Sequence, residues 1–189
     1  MTPAARPPDV PPPRAHERVP SRVLVHTGDG KGKTSAAMGI VMRAVARRWR
    51  VCVVQFVKDG RWKTGEESSA RRLGVEWWSI GDGFTWDSDD IDRTEAIAGE
   101  AWRAARDVIL AGDHHLVVLD EITYPMNWGW IDANQVIEAI RDRPSHVSVV
   151  ATGRDAPASL RAVADTVTEM TNVKHPFEQG VAAMRGIEF

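Results

Sequence analysis

The sequence predicts an α/β fold, a mostly parallel sheet with helices on both faces, and three observations carry that prediction. Short β-branched runs alternate with helical stretches from Val23 nearly to the end of the chain, as right-handed βαβ crossovers require. Residues Thr27 to Ser35 read Thr-Gly-Asp-Gly-Lys-Gly-Lys-Thr-Ser, directly after one apolar run and directly before one helical stretch. The run Leu116-Val117-Val118-Leu119 ends in two carboxylates, Asp120 and Glu121.

A glycine-rich loop between a strand and a helix, together with an apolar strand ending in acids, specifies a P-loop NTPase-like, RecA-like sheet. The first 20 residues hold seven prolines with Arg6, Arg14 and Arg18 interspersed, so residues 1–21 are expected to form a disordered or extended tail. Residues 22–189 are then one domain, which 189 residues can bury well. Val23 to His26 gives the first strand and Lys33 to Trp49 its helix. Val51 to Val57 precedes the helix Glu66 to Leu73, and Val75 to Ile80 precedes Arg93 to Ala111. Leu116 to Asp120 is followed by Ala133 to Arg141, and His146 to Thr152 by Ala156 to Ala164. Thr166 to Met170 is the last core strand, and Val181 to Phe189 is expected to add an edge strand.

Composition narrows the function. A formal charge of −2 creates no field for nucleic acid or an anionic membrane, so a phosphate ligand must be held locally. The one cysteine, Cys52, lies within the apolar run Val51 to Val54. It reads as a buried strand residue, excludes a disulfide framework and fits a reducing cytoplasm. No apolar stretch approaches the roughly 18 residues that span a bilayer, and no signal core is present. Eight tryptophans stand against one tyrosine. Trp77, Trp78 and Trp102 suit the core, whereas Trp62, Trp86, Trp128 and Trp130 fall outside any apolar period and suit a large flat ligand or a subunit interface.

In an open α/β sheet, ligands gather at the carboxyl ends of the strands. The chemically unusual segments all fall there: Thr27 to Lys33, Lys58 to Glu66, Gly81 to Asp92, Glu121 to Trp130, and Gly153 to Asp155. Gly28, Gly30 and Gly32 let backbone N–H groups turn inward around an anion, and Lys33 adds a mobile charge. Thr34 or Ser35 supplies a hydroxyl for Mg²⁺ (or Mn²⁺), and Asp120 is the metal-side carboxylate. Glu121 is left to accept a proton, orient a water or bind a ribose hydroxyl. Thr27 occupies the place of the first glycine in the usual loop pattern, so the loop is a variant. Arg154 stands at a strand end suited to a phosphate; Arg43, ten residues along the helix from Lys33, reaches one only if the nucleotide lies back along that helix. His114 and His115 read as surface residues, because no other histidine is spaced with them as a zinc site. No nucleophile triad stands out, so the attacking atom comes from another substrate.

Several of these segments also carry a resemblance: Thr27 to Ser35, Val54-Gln55-Phe56-Val57-Lys58, Thr64-Gly65-Glu66, Gly83-Phe84-Thr85-Trp86, Leu119 to Tyr124, Thr152-Gly153-Arg154, Ala164 to Met170, and Lys174-His175-Pro176-Phe177. From about Val23 to Phe189 the chain resembles the P-loop corrinoid adenosyltransferases of cobalamin biosynthesis, which act on cob(I)yrinic acid a,c-diamide and related corrinoids. The resemblance implies attack by Co(I) of the corrinoid on the 5′ carbon of ATP, with release of triphosphate. It implies that Gly28, Asp29, Gly30, Lys31, Gly32, Lys33, Thr34 and Ser35 cradle the phosphates and that Arg43 reaches them from the first helix. Glu121 would contact the ribose side, and Phe84 and Trp86 would face the emptied lower position of cobalt. It further implies a reduced flavin carrier as electron donor and a homodimer. The rival readings are a P-loop small-molecule kinase, which would leave ADP, and a RecA-like switch module, which would need a basic path that the charge does not provide.

Overall fold

The computed structural model describes residues 18–57, 64–81 and 91–188. β1 (Val23–Thr27) leads through the glycine loop into α1 (Lys33–Ala46), followed by β2 (Val51–Phe56), α2 (Gly65–Arg72), β3 (Glu76–Ile80) and α3 (Ile91–Ala111). The second half holds β4 (Leu116–Asp120), α4 (Thr123–Asn127), α5 (Ala133–Asp142), β5 (Ser148–Thr152), α6 (Ala158–Val163) and β6 (Thr166–Glu169). The strands form one six-stranded sheet in the order β3-β2-β4-β5-β1-β6, and every pairing is parallel. The α/β expectation is met. β5 lies between β1 and β4, so the loop after β1 and the acids ending β4 stand one strand apart.

Helices cover both faces, which is why the central strands are apolar at successive positions rather than alternately. On one face Ala37, Val41 and Ala44 of α1 and Ala70 of α2 pack on Val51, Val53, Leu116, Val118 and Val150. On the other, Ala101, Ala105 and Ile109 of α3, Ile137 and Ile140 of α5, and Leu160 of α6 pack on Cys52, Val54, Val117, Leu119 and Val149. Trp77 and Trp102 are buried and Trp78 is half-buried, so these rings fill the core as expected.

Element ends follow local chemistry. α1 stops at Ala46 rather than continuing to Trp49, because Arg48 turns left-handed at φ 59° and its N–H bonds back to Val45 O. α2 starts where the Thr64 hydroxyl accepts the Glu67 N–H at 3.3 Å. The expected edge strand over Val181 to Phe189 does not form within the described residues. Gly180 and Gly186 take φ of 73° and 85°, and the N–H groups of Ile187 and Glu188 close back onto Met184 O. Local turns thereby consume the donors that a strand would offer to β6.

Candidate functional site

The loop after β1 is shaped by the far end of the chain. The Gly30 N–H donates to Met170 O at 2.7 Å, and the Met170 N–H donates to Thr27 O at 2.8 Å. The contact is so close that a Cβ on Gly30 would lie 2.7 Å from the Thr171 carbonyl carbon, so only glycine fits. Thr27, in the usual glycine's place, is fully buried and its hydroxyl accepts the Ala156 N–H at 3.0 Å, tying the loop to the β5–α6 connection. The Lys33 ammonium folds across the loop and donates to Gly28 O at 2.6 Å and Gly30 O at 2.7 Å. Burial, and then the neighbouring Arg154 guanidinium, holds this amine below its ordinary range. A trianionic ligand would oppose both effects.

Asp120 lies at the centre of a polar row across the carboxyl ends of the strands. It is fully buried. Its Oδ1 accepts the Thr34 hydroxyl at 2.9 Å and the Thr152 hydroxyl at 2.7 Å, and its Oδ2 accepts Gln55 Nε2 at 2.8 Å. Among the described residues no lysine, arginine or histidine forms an ion pair with it. A carboxylate satisfied only by neutral donors and set beside a loop hydroxyl is a hard-oxygen donor set suited to Mg²⁺. The adjacent Gln55 Oε1 is buried with no hydrogen-bond partner, a further oxygen of the kind that suits a hard cation. Asp120 and Thr34 therefore fit the metal role read from the sequence.

Backbone strain marks the same edge. Val57 after β2, Glu121 after β4 and Asp155 after β5 all take positive φ, at 72°, 65° and 50°. Such conformations cost β-branched and other Cβ-bearing residues energy and cluster at sites that need a fixed direction. Glu121 is held by its N–H, which donates to Thr152 Oγ1 at 2.9 Å. Glu121→Gly should cost little stability through the backbone, because the roughly 1 kcal/mol of left-handed strain removed is similar to the chain entropy that glycine adds, so any larger loss reports the contacts of the side chain. Activity should fall sharply. Paired thermal melts and turnover assays check this, and a stability loss above about 2 kcal/mol would make Glu121 a structural residue instead.

The structure brings most of the predicted residues together. Arg154 Nε lies 3.7 Å from Asp29 Oδ1 at the loop rim, and its carbonyl accepts the Thr123 hydroxyl at 2.6 Å. Lys31 and Ser35 are exposed beside Lys33. Arg43 is not brought to the loop: it is exposed on the last turn of α1, about 15 Å along the axis from Lys33. Phe84 and Trp86 lie outside the described residues, as do Lys58 and Trp62. Among the described residues, Val57, Ile80, Gly81, Thr94, Pro125 and Trp130 line an apolar cavity beyond β2 and β3. Trp128 stacks near Tyr124 at 5.6 Å between ring centres and tilts against Trp130 at 4.7 Å. Gln55, Thr152 and Met170 are site-building residues that sequence reasoning did not single out. Gln55 was the legible one, since a polar side chain inside an apolar strand needs a partner.

The same polar row continues to His26. This residue pairs in register with Thr152 and Thr168 and is 6% exposed, and neither ring nitrogen has a hydrogen-bond partner. Burial lowers its pKa from the ordinary 6.5. Below pH 6.5 the unfolded chain takes up a proton that the folded one resists, so stability falls as pH drops from 6.5 toward the depressed value. His26→Leu should remove that acid loss and raise stability at neutral pH by about 1 kcal/mol, measured by denaturant titration at several pH values.

Comparison with known proteins supplies the family. The family model for ATP:corrinoid adenosyltransferase BtuR/CobO/CobP matches residues 20–189. The corrinoid adenosyltransferase of Pseudomonas aeruginosa is 44% identical over 169 residues, covering 88% of this chain and 83% of that one. The corrinoid adenosyltransferase of Escherichia coli K12 is 38% identical over 167 residues, covering 88% and 85%, and the corrinoid adenosyltransferase CobA of Salmonella typhimurium matches to the same extent. With the family model matching residues 20–189 and relatives up to 44% identical over most of both chains, the chain belongs to the ATP:corrinoid adenosyltransferase family.

Proposed function

We propose that the protein transfers the 5′-deoxyadenosyl group of ATP to the Co(I) of a corrinoid, cob(I)yrinic acid a,c-diamide or a later intermediate such as cob(I)alamin, and releases triphosphate. The observation that carries this reading is the Lys33–loop–Asp120 arrangement on a chain of this family. The cobalt electron pair forms the cobalt–carbon bond at C5′ as the C5′–oxygen bond breaks, and the pair of that bond leaves with triphosphate. Co(I) is a strong nucleophile, so the chain needs no general base. Its work is alignment and exclusion of water.

Gly28 to Ser35 would hold the triphosphate through backbone N–H groups, with Lys33 and Arg154 neutralising its charge. Thr34 and Asp120 would hold Mg²⁺, which when bound supplies charge stabilisation to the leaving triphosphate. Glu121 would position the ribose. Arg43, far along α1 from the loop, would meet phosphate only if the nucleotide extends along that helix. The corrinoid would lie over the apolar cavity beside Trp130, with Phe84 and Trp86 as its lower wall. A reduced flavin carrier would supply the electron that makes Co(I). Exposed Val173, Phe177 and Ile187, at 91%, 77% and 79%, support a homodimer that covers the C-terminal segment. No helix among the described residues is long and apolar enough to cross a membrane, and the lone unpaired cysteine fits the cytoplasm.

The test is an anaerobic assay with ATP and reduced corrinoid, following the light-sensitive cobalt–carbon product by absorbance and the nucleotide products by chromatography. Triphosphate without ADP is expected; ADP would restore the kinase reading. Run from Co(II) with a mild flavin donor, the same assay reads the lower wall. Trp86→Ala should lose far more transfer there than when a strong chemical reductant supplies Co(I), at unchanged melting temperature. Equal losses in both would remove Trp86 from the wall.

A further inference from the structure

The end of the sheet opposite the phosphate loop holds a second cluster of reactive side chains. Cys52 is the second residue of β2, Glu76 opens β3, and His114 lies two residues before β4. Register places Cys52 between Glu76 and Val117, and the connection from α3 brings His114 over the pair. One donor atom from each of the three side chains lies within 4.8 Å of the other two. His114 Nε2 and Glu76 Oε2 are already 2.9 Å apart. Sequence spacing read His114 and His115 as surface residues because no other histidine is spaced with them as a zinc site; the His114 side chain is instead only 14% exposed, and the sheet sets a thiol and a carboxylate beside it.

We propose that Cys52, Glu76 and His114 form a binding site for one Zn²⁺, through thiolate, carboxylate and imidazole, with water as the fourth ligand. Sulfur, nitrogen and oxygen in one set suit borderline-soft zinc and disfavour Mg²⁺. Tetrahedral zinc with bonds of about 2.0–2.3 Å sets its donors roughly 3.5 Å apart, so the side chains must close in by about 1 Å. Glu76, with its side chain 45% exposed, is free to swing. A plain histidine–glutamate pair over an inert thiol leaves His114 Nδ1 buried without a partner; a turn of the ring onto a metal removes that defect. Without metal, burial and the Glu76 carboxylate push the thiol up to about 12. Zinc must therefore displace the thiol proton, which passes to solvent as the sulfur–zinc bond forms, and no electron is transferred. The bound ion would fasten the edge strand β3 to β2 and to the α3–β4 connection.

Cys52 is the chain's one cysteine, so any thiolate-to-metal charge-transfer band reports this site alone. The full-length, metal-free protein is titrated with Co²⁺ as a spectroscopic substitute in excess Mg²⁺, then with Zn²⁺. The expected result is one equivalent of four-coordinate Co²⁺ with a near-ultraviolet thiolate band that zinc bleaches. His114→Asn and Glu76→Gln should each weaken binding at least tenfold, the scale on which even outer-sphere partners act, with the metal-free melting temperature unchanged. Cys52→Ser should lose the band, and if it fails to fold the other two variants still decide. Absence of the band in the native protein, or affinity unmoved in both His114→Asn and Glu76→Gln, would overturn the site.

Discussion

Lys33→Ala is expected to fold and to lose adenosyl transfer. The ammonium is the point charge nearest the loop centre, and removing a charge-assisted contact costs about 2–3 kcal/mol, or roughly 30- to 150-fold in ATP affinity. Turnover should fall further, because the same ammonium holds Gly28 O and Gly30 O and so fixes the curvature of the loop. Native protein should add a pH signature. Lys33 sits below its ordinary 10.5 in the folded chain through burial and Arg154, while bound triphosphate favours the charged form. ATP affinity should therefore fall as pH rises through that lowered value, below 10.5, and Lys33→Ala should flatten this limb. Calorimetric ATP binding across the alkaline range measures both effects. Normal turnover by a folded Lys33→Ala protein would take the loop out of the mechanism.

The second large effect is expected at Asp120. Asp120→Asn replaces an acceptor-only group with one that carries two donors, while three donors point at it: the hydroxyls of Thr34 and Thr152, and Gln55 Nε2. The new amide nitrogen meets Gln55 Nε2 unless the Gln55 amide turns its unpartnered Oε1 toward it, so the stability cost is at most about 1–3 kcal/mol. A neutral amide is also a poorer ligand for a hard cation than a carboxylate. Half-maximal turnover should require at least about tenfold more Mg²⁺, the change produced by roughly 1.4 kcal/mol. Thr152→Val supplies the control, because it removes a neighbour of Asp120 but no metal donor; it should lower the melting temperature with little change in the Mg²⁺ requirement. Equal Mg²⁺ dependence in native and Asp120→Asn protein would leave Asp120 a structural strand end.

The sequence made the sheet legible because its strands are continuous apolar runs and its loops carry their own punctuation. Lys33, Thr34, Asp120 and Arg154 could be read as neighbours at one edge of the sheet because each sits at a strand or helix end, where chain direction alone fixes position. The position of Glu121 was legible for the same reason, but its left-handed backbone was not, since nothing in Asp-Glu-Ile announces a positive φ. Gln55 and Thr152 were missed as partners of Asp120 because their meeting depends on strand order, and β4 between β2 and β5 cannot be read from a linear run. The edge strand expected after Val181 failed where two glycines and local hydrogen bonds outcompeted extension. Cys52, Glu76 and His114 were read singly for the same reason as Gln55: register, not spacing, unites them.

The bond from the Gly30 N–H to Met170 O has a consequence for how the protein is born. The glycine motif leaves the ribosome early, yet the residue that closes it is synthesised some 140 positions later, roughly 7–30 s at ordinary elongation rates. During that interval the nascent chain carries the motif without the cradle. β1 has its final neighbour on neither side until β5 and then β6 emerge, so the nucleotide cannot template the early half. The folded shape of the glycine loop is completed last, with the strand that finishes the sheet.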